Sequence, residues 1–391
     1  MDSWLIKKQI LPSSEDNSSV SRPSTSGPQN SQSELESSDF EISNEDDNNE
    51  PEKKRKKVLK KTIVRNKTTY KFSNETTDIS TKKQCALTVI YFDIEKNKVV
   101  TQFFDLIESE GSTAIDLFEL LILTLKNKNL PLTNLVGFSS DTTNVMAGTR
   151  VLHSVFTLLK ENIPHIICIK CSCHMAHLAT SKACLKLPKS VEDLLRNIGS
   201  HFHRSSQRTK RFEEFQTFFE VKIHKILSPA VTRWLSIKNC VDRVLEQYEP
   251  LKGYFRELVF EDPSHTTQIM IETLENKFTK AYLEFMSYTL GLMTDFNILF
   301  QSEKPLLYKV KPETEKLLKT LCSNYMEINI IRKCTNIFQL NHLNPKYFAP
   351  LDKIYLGLEA TETILYISES STTKKDVDNF LKTILEFYLE L

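Results

Sequence analysis

The chain has 391 residues, and its 51 lysines and arginines nearly balance its 50 aspartates and glutamates. That length is enough for two or three domains if all of it folds. With 8 glycines the composition disfavours a turn-rich β fold and favours long helices. No apolar run approaches the roughly 18 residues of a membrane span. The N-terminus lacks the apolar core of a signal peptide, so no membrane partner is expected. The 8 cysteines are scattered apart from one cluster, which points to a reducing compartment.

The charge balance conceals an asymmetry. Over residues 1–50, Lys7, Lys8 and Arg22 are heavily outnumbered by acids, and Ser and Asn fill much of the rest. Such a stretch buries too little apolar area to offset the entropy of ordering, so residues 1–68 are expected to be a disordered tail. Within it, residues 53–61 are almost purely basic. The core of that run, Lys53, Lys54, Arg55, Lys56 and Lys57, suits the groove of a nuclear import receptor and implies the nucleus. A solvated charge run or a nonspecific phosphate contact is the alternative.

Ordered elements are predicted from Thr69 onward. Thr69 to Phe72 starts a strand. Cys85 to Phe92 and Val99 to Ile107 are β-branched and aromatic strands, joined by a polar turn short enough to force a hairpin. Thr113 to Lys126 has helical apolar spacing, with Ser112 or Thr113 as its cap. Leu132 to Phe138 is a fourth strand. A single helix is predicted after it, carrying Val145, Val151, Leu152, Val155, Leu158 and Leu159. His165 to Ile169 reads as a fifth, buried strand, and Met175 to Leu185 as helix. The order β-β-β-α-β-α-β-α, with right-handed crossovers, is that of a ribonuclease-H-like mixed sheet, an α/β core over residues 69–190. Residues 191–391 read as a large all-helical region punctuated by Pro229, Pro250, Pro263, Pro305 and Pro312.

Asp141 sits just past the fourth strand and just before the next helix. Open α/β sheets place ligands at such a point. Its carboxylate either caps the helix or holds a metal. Cys171, Cys173, His174 and His177 form the one cluster of potential metal ligands. With Cys168 they approximate a Zn²⁺ set, although the spacing leaves no loop to wrap a tetrahedron. His177 could instead meet a phosphate or a carboxylate, or pack in the core. A basic run from Arg204 to Arg211, including Arg208, Lys210 and Arg211, is read as lying between helices. It either tracks a nucleic-acid backbone or forms a solvated turn.

Four segments, taken in order, resemble the catalytic region of hAT-superfamily transposases. They are Asn74-Glu-Thr-Thr-Asp-Ile-Ser-Thr81, Gly137-Phe-Ser-Ser-Asp-Thr-Thr-Asn-Val-Met146, Cys173-His-Met-Ala-His-Leu178 and Thr232-Arg-Trp-Leu-Ser236. The resemblance runs from about Tyr70 to Leu391 and implies a ribonuclease-H-like core interrupted by a helical insertion. It implies three carboxylates that hold Mg²⁺ for in-line attack on a DNA phosphodiester. Asp141 matches the second acid. The first falls at Asn74, a neutral amide and a poor Mg²⁺ ligand. Glu75 is expected on the opposite strand face, which leaves Asp78 as the nearby substitute.

No match for the third acid precedes Leu391, so the helical region is read as stopping short of it. Glu359 and Glu362 are read as surface acids. No zinc-finger pattern precedes Tyr70, and the family's C-terminal dimerisation segment has no match. Arg233 and Trp234 match the opening of the insertion, where Arg can fork onto a phosphate and Trp can stack on a base. A buried Trp with a capping Arg is the alternative.

These features imply a transposon-derived nuclear protein that binds nucleic acid or protein and lacks strand-transfer activity. The alternatives are a fragment of a Mg²⁺-dependent transposase that works beside an intact copy, and a zinc-stabilised structural module. The implied partners are DNA, an import receptor, and further copies of this or related transposase-like chains.

Overall fold

A computed structural model of the chain describes residues 68–77, 83–148, 153–229, 234–302, 304–370 and 372–391. The acidic tail, the basic run Lys53–Lys57, Asp78, Val151, Leu152 and Arg233 lie outside the described residues, as do the side chains of residues 68–77 and 234–236. The fold is mixed α/β, with helices predominating. No helix among the described residues is long and apolar enough to cross a membrane.

Strands β1 (Thr68–Thr77), β2 (Lys83–Asp93) and β3 (Lys98–Glu108) form an antiparallel meander. The β2–β3 turn closes where Asn97 takes a positive φ of 46° and donates to the Ile94 carbonyl. Along β2 the burial alternates strictly. Cys85, Leu87, Val89 and Tyr91 face one side. That period of two is what a half-buried strand requires.

Helix α1 (Ala114–Asn127) begins at Thr113, whose hydroxyl and the Asp116 carboxylate make a reciprocal capping box. Its Leu117, Leu121 and Leu125 pack with that face of β2. Strand β4 (Leu135–Ser140) adds beside β1 in parallel. The single helix predicted after β4 is two. α2 (Asn144–Ala147) is one short turn, and α3 (Val155–Asn162) restarts with its own Ser154–Thr157 capping box. At Gly148 between them, a Cβ would lie 2.7 Å from the Asn144 Cα, so the chain can fold back closely only without a side chain.

Strand β5 (Ile167–Lys170) completes a five-stranded sheet of order β3-β2-β1-β4-β5, with β1, β4 and β5 parallel. The fifth strand is not buried as expected. It ends the sheet's order, and Ile167 is 64% exposed. The apolar signal comes from Ile163 and Ile166, buried just ahead of it.

The remaining helices are α4 (Ser172–Cys184), α5 (Lys189–His203), α6 (Ser206–Phe218), α7 (Trp234–Glu246), α8 (Tyr248–Glu261), α9 (His265–Glu275), α10 (Lys277–Phe300), α11 (Leu307–Ser323), α12 (Ile328–Lys333), α13 (Leu358–Glu369) and α14 (Lys374–Glu390). They share one large core, separate from that of the sheet. α4 belongs to it through Ala176, Ala183 and Cys184. The change of core therefore comes earlier in the chain than the composition change at residue 190.

At the centre runs α10, with Ala281, Leu283, Phe285 and Met286 fully buried and α4, α7, α9 and α13 packed around it. A helix that is apolar on most sides has to be enclosed this way. Pro312 does not end a helix as expected but lies inside α11. It falls in the second turn, where the loss is one backbone hydrogen bond.

Gly357 opens α13 with φ 90° and ψ 159°, a region open essentially only to glycine. A Cβ there would also lie 2.8 Å from the Tyr288 Cβ. Substitution Gly357→Ala should destabilise the helical region by about 2 kcal/mol or more. Urea denaturation followed by circular dichroism measures this. An unchanged midpoint would contradict the placement of α13 against α10.

Candidate functional site

The parallel strands β1, β4 and β5 run out at one edge of the sheet. β1 pairs with β4 through Tyr70–Phe138 and Lys71–Ser139. Asn74 lies three residues beyond Lys71 and Asp141 two beyond Ser139, so both backbones reach that edge on adjacent strands. β5 ends beside them, where the Cys171 N–H donates to the Ser140 carbonyl at 3.1 Å.

Asp141 is half-buried and does not cap a helix. Its Oδ1 accepts the Thr143 backbone N–H at 3.1 Å and the Thr143 hydroxyl at 2.7 Å. This Asx turn carries the chain from strand to helix, and Thr143 takes the N-cap position. One carboxylate oxygen is therefore committed to the turn.

The parity argument that sends Glu75 to the opposite face does not hold through this part of β1. Its pairing with β2 shifts register between Phe72 and Glu75, and an irregularity there breaks simple alternation.

The cysteine–histidine cluster forms the start of α4. Cys171 is its N-cap residue and makes no side-chain cap bond. Cys173 Sγ is 3.7 Å from the Asn297 carbonyl near the end of α10. The His174 and His177 rings stack with centroids 6.1 Å apart. Cys168 lies in β5 beside Phe138, and burial raises its thiol pKa. Burial, aided by His174, lowers the His177 pKa to about 4 and keeps the imidazole neutral.

Among the described residues, no three His, Cys, Asp or Glu side chains gather closely enough to hold a metal ion. Neither the Cys171–His177 ligands nor Asp141 belongs to such a group. Of the acid positions the resemblance implies at this edge, Asn74 is an amide, and Asp141 has one oxygen held in a turn.

Glu359 and Glu362 lie elsewhere. They line an open cavity of about 580 Å³ with Asp242, Glu246 and Glu284. Glu284 sits 13 residues before Asn297 on α10, about 20 Å along the helix axis from the end that meets Cys173. Burial raises the Glu284 carboxyl pKa, and its Oε2 has no hydrogen-bond partner among the described residues.

The basic run is not an interhelical turn throughout. α5 ends at His203, Ser205 caps α6, and Arg208, Lys210 and Arg211 stand in the first turns of α6. Lys210 is exposed. Arg211 is neutralised by Glu257 and by Glu261, whose Oε1 accepts Nη2 at 2.7 Å. It also lies over the Tyr254 ring. Those carboxylates raise its pKa further above the usual arginine value.

Arg204 and Arg208 form no ion pair among the described residues. Arg208 Nη1 is 3.4 Å from the His201 carbonyl, which leans the guanidinium on the end of α5. His201 is buried, with Nε2 3.0 Å from the Tyr254 hydroxyl. Burial, with Arg208 adding to it, lowers its pKa to about 4. Composition gave no hint that these neighbouring arginines differ in being neutralised, since the carboxylates involved come from α8.

No protein-family model matches the chain, and no curated protein matches it.

The two lowered histidines make a pH prediction. An unfolded histidine titrates near 6.5, above the folded value of about 4 for His177 and His201. The unfolded state then takes up protons first as pH falls. The contribution of these rings is complete above about pH 6.5 and is lost on the way down to about pH 4. Ring NMR signals of both residues should stay flat from pH 8 to about pH 5. Titration of either near 6.5 would contradict its burial.

Proposed function

We propose that this chain is a transposase-derived nuclear protein that binds nucleic acid through its helical region and does not cut or join strands. The observation that carries this reading is the sheet itself. Its order β3-β2-β1-β4-β5, with β1, β4 and β5 parallel, is compatible with a ribonuclease-H-like core. Asp141 follows β4 where such a core keeps an acid, and the adjacent strand carries Asn74. Of the four hAT-like segments, Asn74–Thr77 and Gly137–Ser140 lie in this sheet, Cys173–Leu178 at the start of α4 and Trp234–Ser236 at the start of α7.

Loss of strand chemistry follows from the donor set. A phosphodiester attack of this type needs several charged oxygen ligands to hold two divalent ions and neutralise the developing charge. Asp141 beside the amide of Asn74 is a poor substitute, and Glu75 is the one further acid that β1 carries. Binding does not need that centre. It needs unneutralised cations near the backbone of the nucleic acid, and Arg204, Arg208 and Lys210 supply them.

Binding of a fluorescent DNA duplex by the purified chain should weaken steeply as salt rises, with a linear log–log slope. The same chain with Mg²⁺ or Mn²⁺ should leave the duplex intact. Metal-dependent cleavage or joining, abolished by Asp141→Asn, would replace this reading with that of an active transposase. The nuclear part rests on Lys53–Lys57. Replacing all five with Ala in a fluorescent fusion should shift the protein out of the nucleus, and unchanged nuclear signal would remove that part alone.

A further inference from the structure

We propose that the cavity between the α5–α6 turn and the start of α9 is a phosphate-binding site. Under the nucleic-acid reading above, on which this choice of source rests, the phosphate belongs to a nucleic-acid backbone. The cavity measures about 330 Å³ and is lined by Ser200, Arg204, Arg208, Asp262, Ser264 and Thr266, among others.

Two guanidinium groups line this one space, and neither is matched by a carboxylate among the described residues. The next arginine on the same helix, Arg211, is fully matched by Glu257 and Glu261. Arginine keeps its charge at any physiological pH and offers planar, forked donors suited to phosphate oxygens. Arg208 is also positioned, because its Nη1 reaches the His201 carbonyl and its backbone N–H meets Ser205 Oγ at 3.3 Å. A guanidinium already leaning on the protein has less side-chain freedom to lose on binding.

The rest of the lining supports an anion. Ser264 caps α9, an 11-residue helix, so the N-terminal backbone donors of that helix begin at the cavity rim. Ser200 and Thr266 add hydroxyls. His201 adds no charge, since burial keeps it neutral and its Nε2 faces Tyr254. Asp262 is the one acid in the lining, and its Oδ1 is 3.3 Å from the Ser264 N–H. It opposes an anion and so sets an upper limit on affinity. A divalent cation would need several carboxylates here, and the lining has a single one against two arginines.

The test uses the full chain and two probes, a fluorescent DNA duplex followed by anisotropy and inorganic phosphate followed by calorimetry. The variants are Arg204→Gln with Arg208→Gln, Arg208→Lys, and Asp262→Asn, with Arg211→Gln as the control. Circular dichroism checks folding. The double variant should lose about tenfold or more in duplex affinity, and its salt slope should fall by about two. Asp262→Asn should bind the duplex several-fold more tightly. Arg211→Gln should stay close to the parent while losing thermal stability.

If the parent binds duplex and the double variant binds it equally well, the cavity is not the site and the nucleic-acid reading stands. If no duplex binds but inorganic phosphate does, and the double variant abolishes that, the site stands with free phosphate as its source and the nucleic-acid reading falls. If neither probe binds, both fall. Should the double variant unfold, Asp262→Asn decides, and unchanged affinity for both probes overturns the site.

Discussion

Helix α4 has to satisfy two partners at once, and the arrangement of the whole chain follows from how it does so. At its N-terminus it is tied to the sheet, because the Cys171 N–H closes onto the Ser140 carbonyl. Along its flank Ala176, Ala183 and Cys184 enter the helical core. Small residues there let α10 and α14 approach closely. Cys173 meets the Asn297 carbonyl at one end, and Lys186 reaches Glu390 of α14 at the other. The sheet edge that carries Asp141 is therefore set beside the C-terminal end of α10. A ligand at that edge meets helical surface as well as strand ends.

The electrostatics divide in the same way. Burial removes charge from His177 and His201, and beside His201 the positive charge is that of Arg208, which keeps its proton. Among the arginines of α5 and α6, tertiary packing decides which remain available. α8 brings Glu257 and Glu261 under Arg211, and its next residue, Asp262, stops short of an ion pair with Arg204 or Arg208. Local sequence is equally basic at all three positions. What distinguishes them is the register in which α8 packs on α6.

Much of the α/β part was legible because its signals are local. The alternation along Cys85–Tyr91 and the apolar stripe of α1 each stand in one short window, and both appear where the pattern places them. The misses have tertiary causes in part. Trp234 to Phe255 has continuous helical spacing, yet the chain breaks at Gln247. That residue is fully buried, accepts from Gln216 at 2.8 Å and donates to the Lys222 carbonyl at 3.0 Å. Gln216 also donates to the His224 carbonyl, so the pair ties the segment after α6 back onto the bundle. The break has a local cause, Pro250 in the first turn of α8, which cannot donate to the Glu246 carbonyl; only the tie from Gln247 to its distant partners is out of local reach. Asp141 has the composition of an N-cap, but Thr143 is placed to use its carboxylate first. The basic run looked uniform because nothing within it names its acidic neighbours.

Under the proposed reading, the same geometry bears on whether strand chemistry could be regained. A single change at Asn74 would add an acid to Glu75 on the strand beside the one that leads to Asp141. The third acid that the resemblance implies would still be needed, and Glu284, Glu359 and Glu362 lie toward the other end of α10, while Asp295 stands exposed two residues before Asn297. Glu284, Glu359 and Glu362 share a cavity centred on residues 280–287 of that helix, whereas the sheet meets it near Asn297. About 20 Å of rigid helix separates the two. α10 is enclosed by packed neighbours and cannot slide to close that distance without opening the core.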